Sequence, residues 1–201
     1  GGGILSEEDS VDLTPFRKAC EVVDHDHVMI VEKAKQLARP NQLETAANCF
    51  RYVRDEIRHS GDFQLNPVTC EASDVLSHGT GYCYAKSHLL CALLRSNEIP
   101  AGLCYQRLSV DGHGAPFCLH GMTAIWIPDL GWYRVDPRGN RAGIDAQFNP
   151  PHEQLAFSTS LPGERNLAGI HPEPLNTVVA ALSRFDTWDA LGQNLPDAVA
   201  E

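Results

Sequence analysis

Nowhere in the 201 residues is there an apolar run near the roughly 20 residues that crossing a bilayer requires, so no membrane-spanning helix is expected. Clustered basic residues are missing too. Arg51, Arg54 and Arg58 are interleaved with Asp55 and Glu56, and 26 acidic against 16 basic side chains leave a formal net charge of −10. That balance repels phosphate backbones and anionic lipid heads, so neither nucleic acid nor a membrane surface is an expected partner. The opening Gly1-Gly2-Gly3-Ile4-Leu5-Ser6-Glu7-Glu8 has neither the basic nor the apolar part of a secretion signal, and its glycines are set aside from the fold argument. The seven cysteines are odd in number and follow no disulfide-like rhythm, which predicts reduced thiols in a cytoplasmic protein. The metal signatures CxxC and HExxH do not occur. His25 and His27 alternate with Asp24 and Asp26, but alternate positions point apart around a helix, so no metal site is expected there.

What is present suits one domain over 1–201, with 43% hydrophobic and 21% charged residues. Asp26 is a plausible N-cap for a helix that Pro40 stops, with Val28, Val31, Ala34 and Leu37 at helical spacing. A second helix from Asn41 or Thr45 to Gly61 is expected to bury Leu43, Ala46, Ala47, Phe50, Val53 and Ile57. Residues 61–82 read as a long loop, and 82–99 as a third helix burying Leu89, Leu90, Leu93 and Leu94. Extended segments are expected at 102–110, 119–127 and 132–135, and helices at 175–184 and near Trp188. Helices followed by an antiparallel sheet make an α+β fold.

The most informative stretch is Gly79-Thr80-Gly81-Tyr82-Cys83-Tyr84-Ala85. Its glycines let the backbone turn sharply into a helix whose first turn holds a cysteine. Unpaired N–H groups and the positive end of the helix dipole favour a thiolate there, the reactive form of the side chain. Of nine histidines, His59 reads as solvated, His88 lies on another face of the cysteine's helix, and His78 and His113 sit in loops as minor candidates. His120 opens an extended run beside Gly121, where strand geometry would hold its ring. Asp136 follows it by 16 positions, just past a hairpin, where a carboxylate can fix the tautomer of a general base.

Taken together, Gly81-x-Cys83, Leu89-Leu90-x-Ala92-Leu93-Leu94-Arg95, Ile99-Pro100-Ala101, His120 and Gly131-Trp132-x-x-x-Asp136-Pro137 resemble the transglutaminase-like superfamily over about 27–140. The resemblance implies a papain-like core with the cysteine heading a helix and the histidine and aspartate on neighbouring strands. It places Cys83 as nucleophile, His120 as base and Asp136 as orienter. It implies acyl transfer or hydrolysis at a carboxamide through a thioester, on a peptide, protein or small amide, with no metal or organic cofactor. Many members carry an aromatic soon after the histidine and a threonine after Asp-Pro. Here those are Gly121-Met122 and Arg138, which bears on the substrate more than on the chemistry. The 141–201 segment carries no motif and is expected as an extension packed on the core. A binding protein that keeps the papain-like shell without turnover is the rival, and the intact triad argues against it.

Two geometric expectations follow. The Cys83 N–H, at a helix N-terminus, is the expected first oxyanion donor, and a second should come from 61–82, with Gln64 as the guess. For His120 and Asp136 to share a sheet face, their hairpin must pair Ile127 with Gly131, or carry a bulge that restores that register.

Overall fold

The computed structural model describes residues 11–198; the glycine-rich opening segment lies outside the described residues. After a 3-10 turn at Thr14–Arg17 comes helix α1 (Val28–Leu37). Its N-cap is His27 rather than Asp26: Nδ1 of His27 accepts the Met29 N–H at 3.1 Å. The neighbouring His25 places Nε2 3.0 Å from the Arg17 carbonyl. Helix α2 (Gln42–Glu56) starts from Asn41, whose side chain accepts the Glu44 N–H at 2.8 Å. Ala46, Phe50, Val53 and Ile57 are buried as the periodicity predicts, whereas Ala47 is half-buried and Leu43, in the first turn, is exposed. The helix also ends well before Gly61.

The span from 61 to 82 is not one long loop. Strand β1 (Arg58–His59) leads into α3 (Ser60–Phe63), α4 covers Ala72–His78, and β2 (Thr80–Gly81) runs parallel to β1. Short pieces of four to seven residues lie below the length at which periodicity carries a signal. Helix α5 (Cys83–Ser96) follows, buried on every side from Cys83 to Arg95. A helix apolar around most of its circumference belongs in a core, and α5 lies between α1, α2 and α4 on one side and the sheet on the other.

The sheet runs β5-β4-β3-β8, from β3 (Ala101–Ser109), β4 (Phe117–Ile127), β5 (Gly131–Val135) and β8 (Arg165–Asn166). Ile127 pairs with Gly131 and Thr123 with Val135, the register that puts even positions of β4 and β5 on one face. A second small sheet joins β6 (Gln147–Asn149) to β7 (His152–Gln154). Helices α6 (Asn176–Arg184) and α7 (Trp188–Gly192) follow, and Val178, Leu182 and Leu191 enter the same core. None of the described helices is long and apolar enough to cross a membrane.

The polar residues that α5 buries find partners. Arg95 donates to the carbonyls of Ala101 and Pro172, and the Ser87 hydroxyl to that of Cys83. Lys86 is the least expected, being fully buried one turn beyond Cys83. Its Nζ donates to the Ile57, Arg138 and Arg54 carbonyls at 2.5, 2.9 and 3.3 Å. The two on α2 are carbonyls that a helix C-terminus leaves without an intrahelical partner. Burial, then the Arg138 charge, pulls the ammonium down to about 7 against the raising effect of Asp136. We expect Lys86→Met to cost about 3 kcal/mol by orphaning these carbonyls, or roughly 6–12 °C in Tm for a chain of this size. Thermal denaturation checks it. An unchanged or higher Tm would mean that relief from burying the ammonium offsets the lost bonds.

Candidate active site

Cys83 is the first residue of α5 and is only 7% exposed. Two glycines bring it there by different means. Gly79 has φ +68° and closes α4 in the left-handed region, where a side chain would be strained. Gly81 sits in β2, where a Cβ would lie 3.0 Å from Ala85 Cβ and 3.1 Å from Thr69 Oγ1. Across the cleft, a Cβ on Gly121 would meet Tyr84 Cδ1 at 2.9 Å and Tyr84 Cα at 3.1 Å. Glycine at 121 therefore lets β4 touch the first turn of α5, and its N–H donates to Cys83 Sγ at 3.4 Å.

One position before Gly121, the buried His120 places Nε2 2.6 Å from Asp136 Oδ2. That bond leaves Nδ1 as the ring nitrogen available to the thiol. Asp136 directly follows β5 and has no solvent exposure. Its Oδ1 accepts the Arg138 N–H at 3.2 Å and its Oδ2 the Ala156 N–H at 3.4 Å. Burial lowers the His120 pKa, but the Asp136 charge, the Cys83 thiolate and hydrogen bonds to both raise it, and together they push it up to about 10. The imidazole thus stands as imidazolium near neutral pH, between the Cys83 sulfur and the Asp136 side chain.

Cys83 and His120 border a cavity of about 730 Å³, whose walls include Leu119, Arg138, Phe157 and Leu161, while Asp136 lies sealed behind the histidine. Part of that wall comes from the segment in which the sequence shows no motif. Phe157 sets its ring edge-on to His120, with centroids 5.0 Å apart, and Ala156 supplies the donor to Asp136. No pattern of spacing could have found either, because both act through a lone contact made by tertiary folding.

The remaining expectations separate. Gln64 is the left-handed C-cap of α3 and is exposed, outside the cavity wall. His78 and His113 do not line the cavity, and His88 is buried with Nδ1 2.9 Å from the Cys70 carbonyl. His59, expected in solvent, is buried and borders the cavity, because β1 turns inward after α2 ends. Among the described residues no group of three or more His, Cys, Asp or Glu side chains could hold a metal ion.

The sequence profile described as the transglutaminase-like superfamily matches residues 30–137, more than half of the chain. Comparison with curated proteins gives no significant match. Among solved structures, a candidate cysteine protease from Cytophaga hutchinsonii aligns at a TM-score of 0.51 and 18% identity, over 64% of this chain and 43% of that one. The periplasmic domain of TgpA from Pseudomonas aeruginosa aligns at 0.46 and 20% identity, over 64% of this chain and 48% of that one. This chain thus spans less than half the length of either structure, and the likeness to the first concerns the fold alone.

Proposed function

The chain belongs to the transglutaminase-like superfamily, and from that premise we propose that it is a cysteine enzyme acting on carboxamides, either a glutamine side chain or a peptide or amide bond. The observation that carries this reading is the buried 2.6 Å bond between His120 Nε2 and Asp136 Oδ2, made by the histidine that faces Cys83 at the start of α5. A structural histidine does not need a dedicated buried carboxylate, whereas a general base does.

In the reaction, Cys83 Sγ bonds to the carbonyl carbon and the π pair moves onto oxygen. The Cys83 N–H, unpaired at the head of α5, donates to that oxyanion. His120 then gives its Nδ1 proton to the departing nitrogen, the C–N bond breaks, and a thioester remains. Neutral His120 next takes a proton from water or from an acceptor amine as that nucleophile adds. Collapse of the second tetrahedral species releases Cys83 as thiolate. Asp136 holds the ring and offsets its charge throughout. Seven thiols without a disulfide fit a reducing, cytoplasmic setting.

Reactivity tests the reading before any substrate is known. Burial pushes Cys49, Cys70, Cys104 and Cys118 up to about 12 and Cys91 to about 11, so those thiols should be inert near neutral pH. Cys83, paired with an imidazolium, should take iodoacetamide at limiting dose roughly tenfold faster than any other cysteine. Intact-mass and peptide mapping of wild type and Cys83→Ala decide it. Labelling spread evenly, or led by the half-buried Cys20, would remove the basis for catalysis.

A further inference from the structure

Attack on a carbonyl leaves an oxyanion with room for two donors, and Gln64, the expected second, lies outside the cavity. We propose that the second oxyanion donor is the Nε2–H of His59, a catalytic role that rests on the acyl-transfer reading above. Three observations place it there. The β1–β2 ladder pairs His59 with Gly81, two residues ahead of Cys83, and neighbouring strands lie about 4.8 Å apart. The ring packs against Tyr82, the residue just before the nucleophile, with centroids 5.2 Å apart, and it borders the same cavity as Cys83 and His120.

The tautomer is fixed as well. Nδ1 of His59 accepts the Asp62 N–H at 3.2 Å, so in the neutral ring the proton must sit on Nε2. The ring is held neutral by burial first, then by the positive charges of Arg138, Lys86, His120 and Arg141, which together lower its pKa well below the usual value. The Asp62 carboxylate, 3.7 Å from Nδ1, does not reverse this, because it is shared between Arg138 at 3.0 Å and Arg141 at 3.3 Å.

Finally, among the described residues Nε2 has no acceptor, yet it is not among the sealed, unpartnered side-chain atoms, which are His88 Nε2 and Gln106 Oε1. His59 borders the cavity that Cys83 and His120 border, and also the neighbouring one beside Lys86; an unpaired donor in the first is ready for charge that develops during the reaction. As the S–C bond forms and the carbonyl π pair moves to oxygen, His59 lends its hydrogen bond and keeps its proton. Nothing is consumed.

Two substitutions split the two nitrogens. His59→Asn keeps an acceptor near the Nδ1 position and loses the donor, whereas His59→Gln carries an amide N–H near the Nε2 position. Each variant is measured twice: for Cys83 alkylation by iodoacetamide, which passes through no oxyanion, and for acylation by p-nitrophenyl acetate, which does. We expect His59→Asn to alkylate at the wild-type rate while acylation falls by roughly 10²-fold, and His59→Gln to recover at least part of that loss. Wild-type acylation by His59→Asn would overturn the proposal. So would equal loss of both rates in both variants, which assigns His59 to the scaffold. Failure of the wild-type protein itself to acylate would instead strike at the acyl-transfer reading, and the two failures are distinct.

Discussion

Cys83→Ala and His120→Ala are each expected to remove nearly all turnover of any amide or ester substrate, a loss on the order of 10⁶ in kcat where nucleophile and base act as a unit. The double variant should be little slower than either single one. The reason lies in the mechanism: His120 has no leaving nitrogen to protonate unless Cys83 has formed the tetrahedral species. Cys83 in turn stands beside an imidazolium whose proton is retained to about pH 10. Residual rate in all three should be that of binding and the oxyanion donors alone. Initial rates with one substrate across the four proteins check this. Roughly additive losses from Cys83 and His120 would show two independent groups and end the dyad.

Asp136→Asn carries the next largest effect, and it appears both as a rate and as a shift along the pH axis. Asparagine keeps the shape and can still accept the Arg138 N–H that Asp136 Oδ1 receives at 3.2 Å. Its amide turned toward Nε2, however, makes that nitrogen an acceptor and moves the single ring proton to Nδ1, the wrong place for a base. A loss of roughly 10³–10⁴ in kcat follows from the wrong tautomer. The sign of the pH effect comes from the causes acting on His120. Burial lowers its pKa and the Asp136 charge is the largest influence raising it, to about 10 in the folded protein. Removing that charge lets burial act with less opposition, so the pKa falls. The alkaline limb of kcat/KM should therefore lie near pH 10 in the wild type and move to lower pH in Asp136→Asn, by roughly one to three units. A limb that stays in place or moves upward would show that Asp136 does not hold the His120 proton.

The outcome for individual residues shows what kinds of signal a sequence carries. The amphipathic stripe of Ala46, Phe50 and Val53 was legible because a 3.6-residue period repeats over four turns of α2. The β4–β5 register was legible from strand alternation and a three-residue turn, and the pairing of Ile127 with Gly131 follows it. Asp26 failed as a cap because His27, one residue on, can accept the same kind of N–H. Capping preferences rank residue types without deciding between adjacent candidates. Between 61 and 82, short elements leave too few residues for a period, so α4 carries no helical signal in the sequence. The burial of His59 is hidden for a different reason: polar neighbours in sequence say nothing about a strand of two residues that turns into the core.

By itself the sequence determined the α+β order, the cysteine at a helix start, and the histidine and aspartate on adjoining extended segments. Those are local properties, set by spacing, glycine placement and alternation over a few residues at a time. Only the tertiary structure decided that the 2.6 Å bond forms with no solvent on Asp136. It alone brought Ala156 and Phe157 from a motif-free segment to the triad, and exposed Gln64 while turning His59 inward. Burial, charge balance and single long-range contacts depend on where distant segments meet, and no period within the chain encodes that.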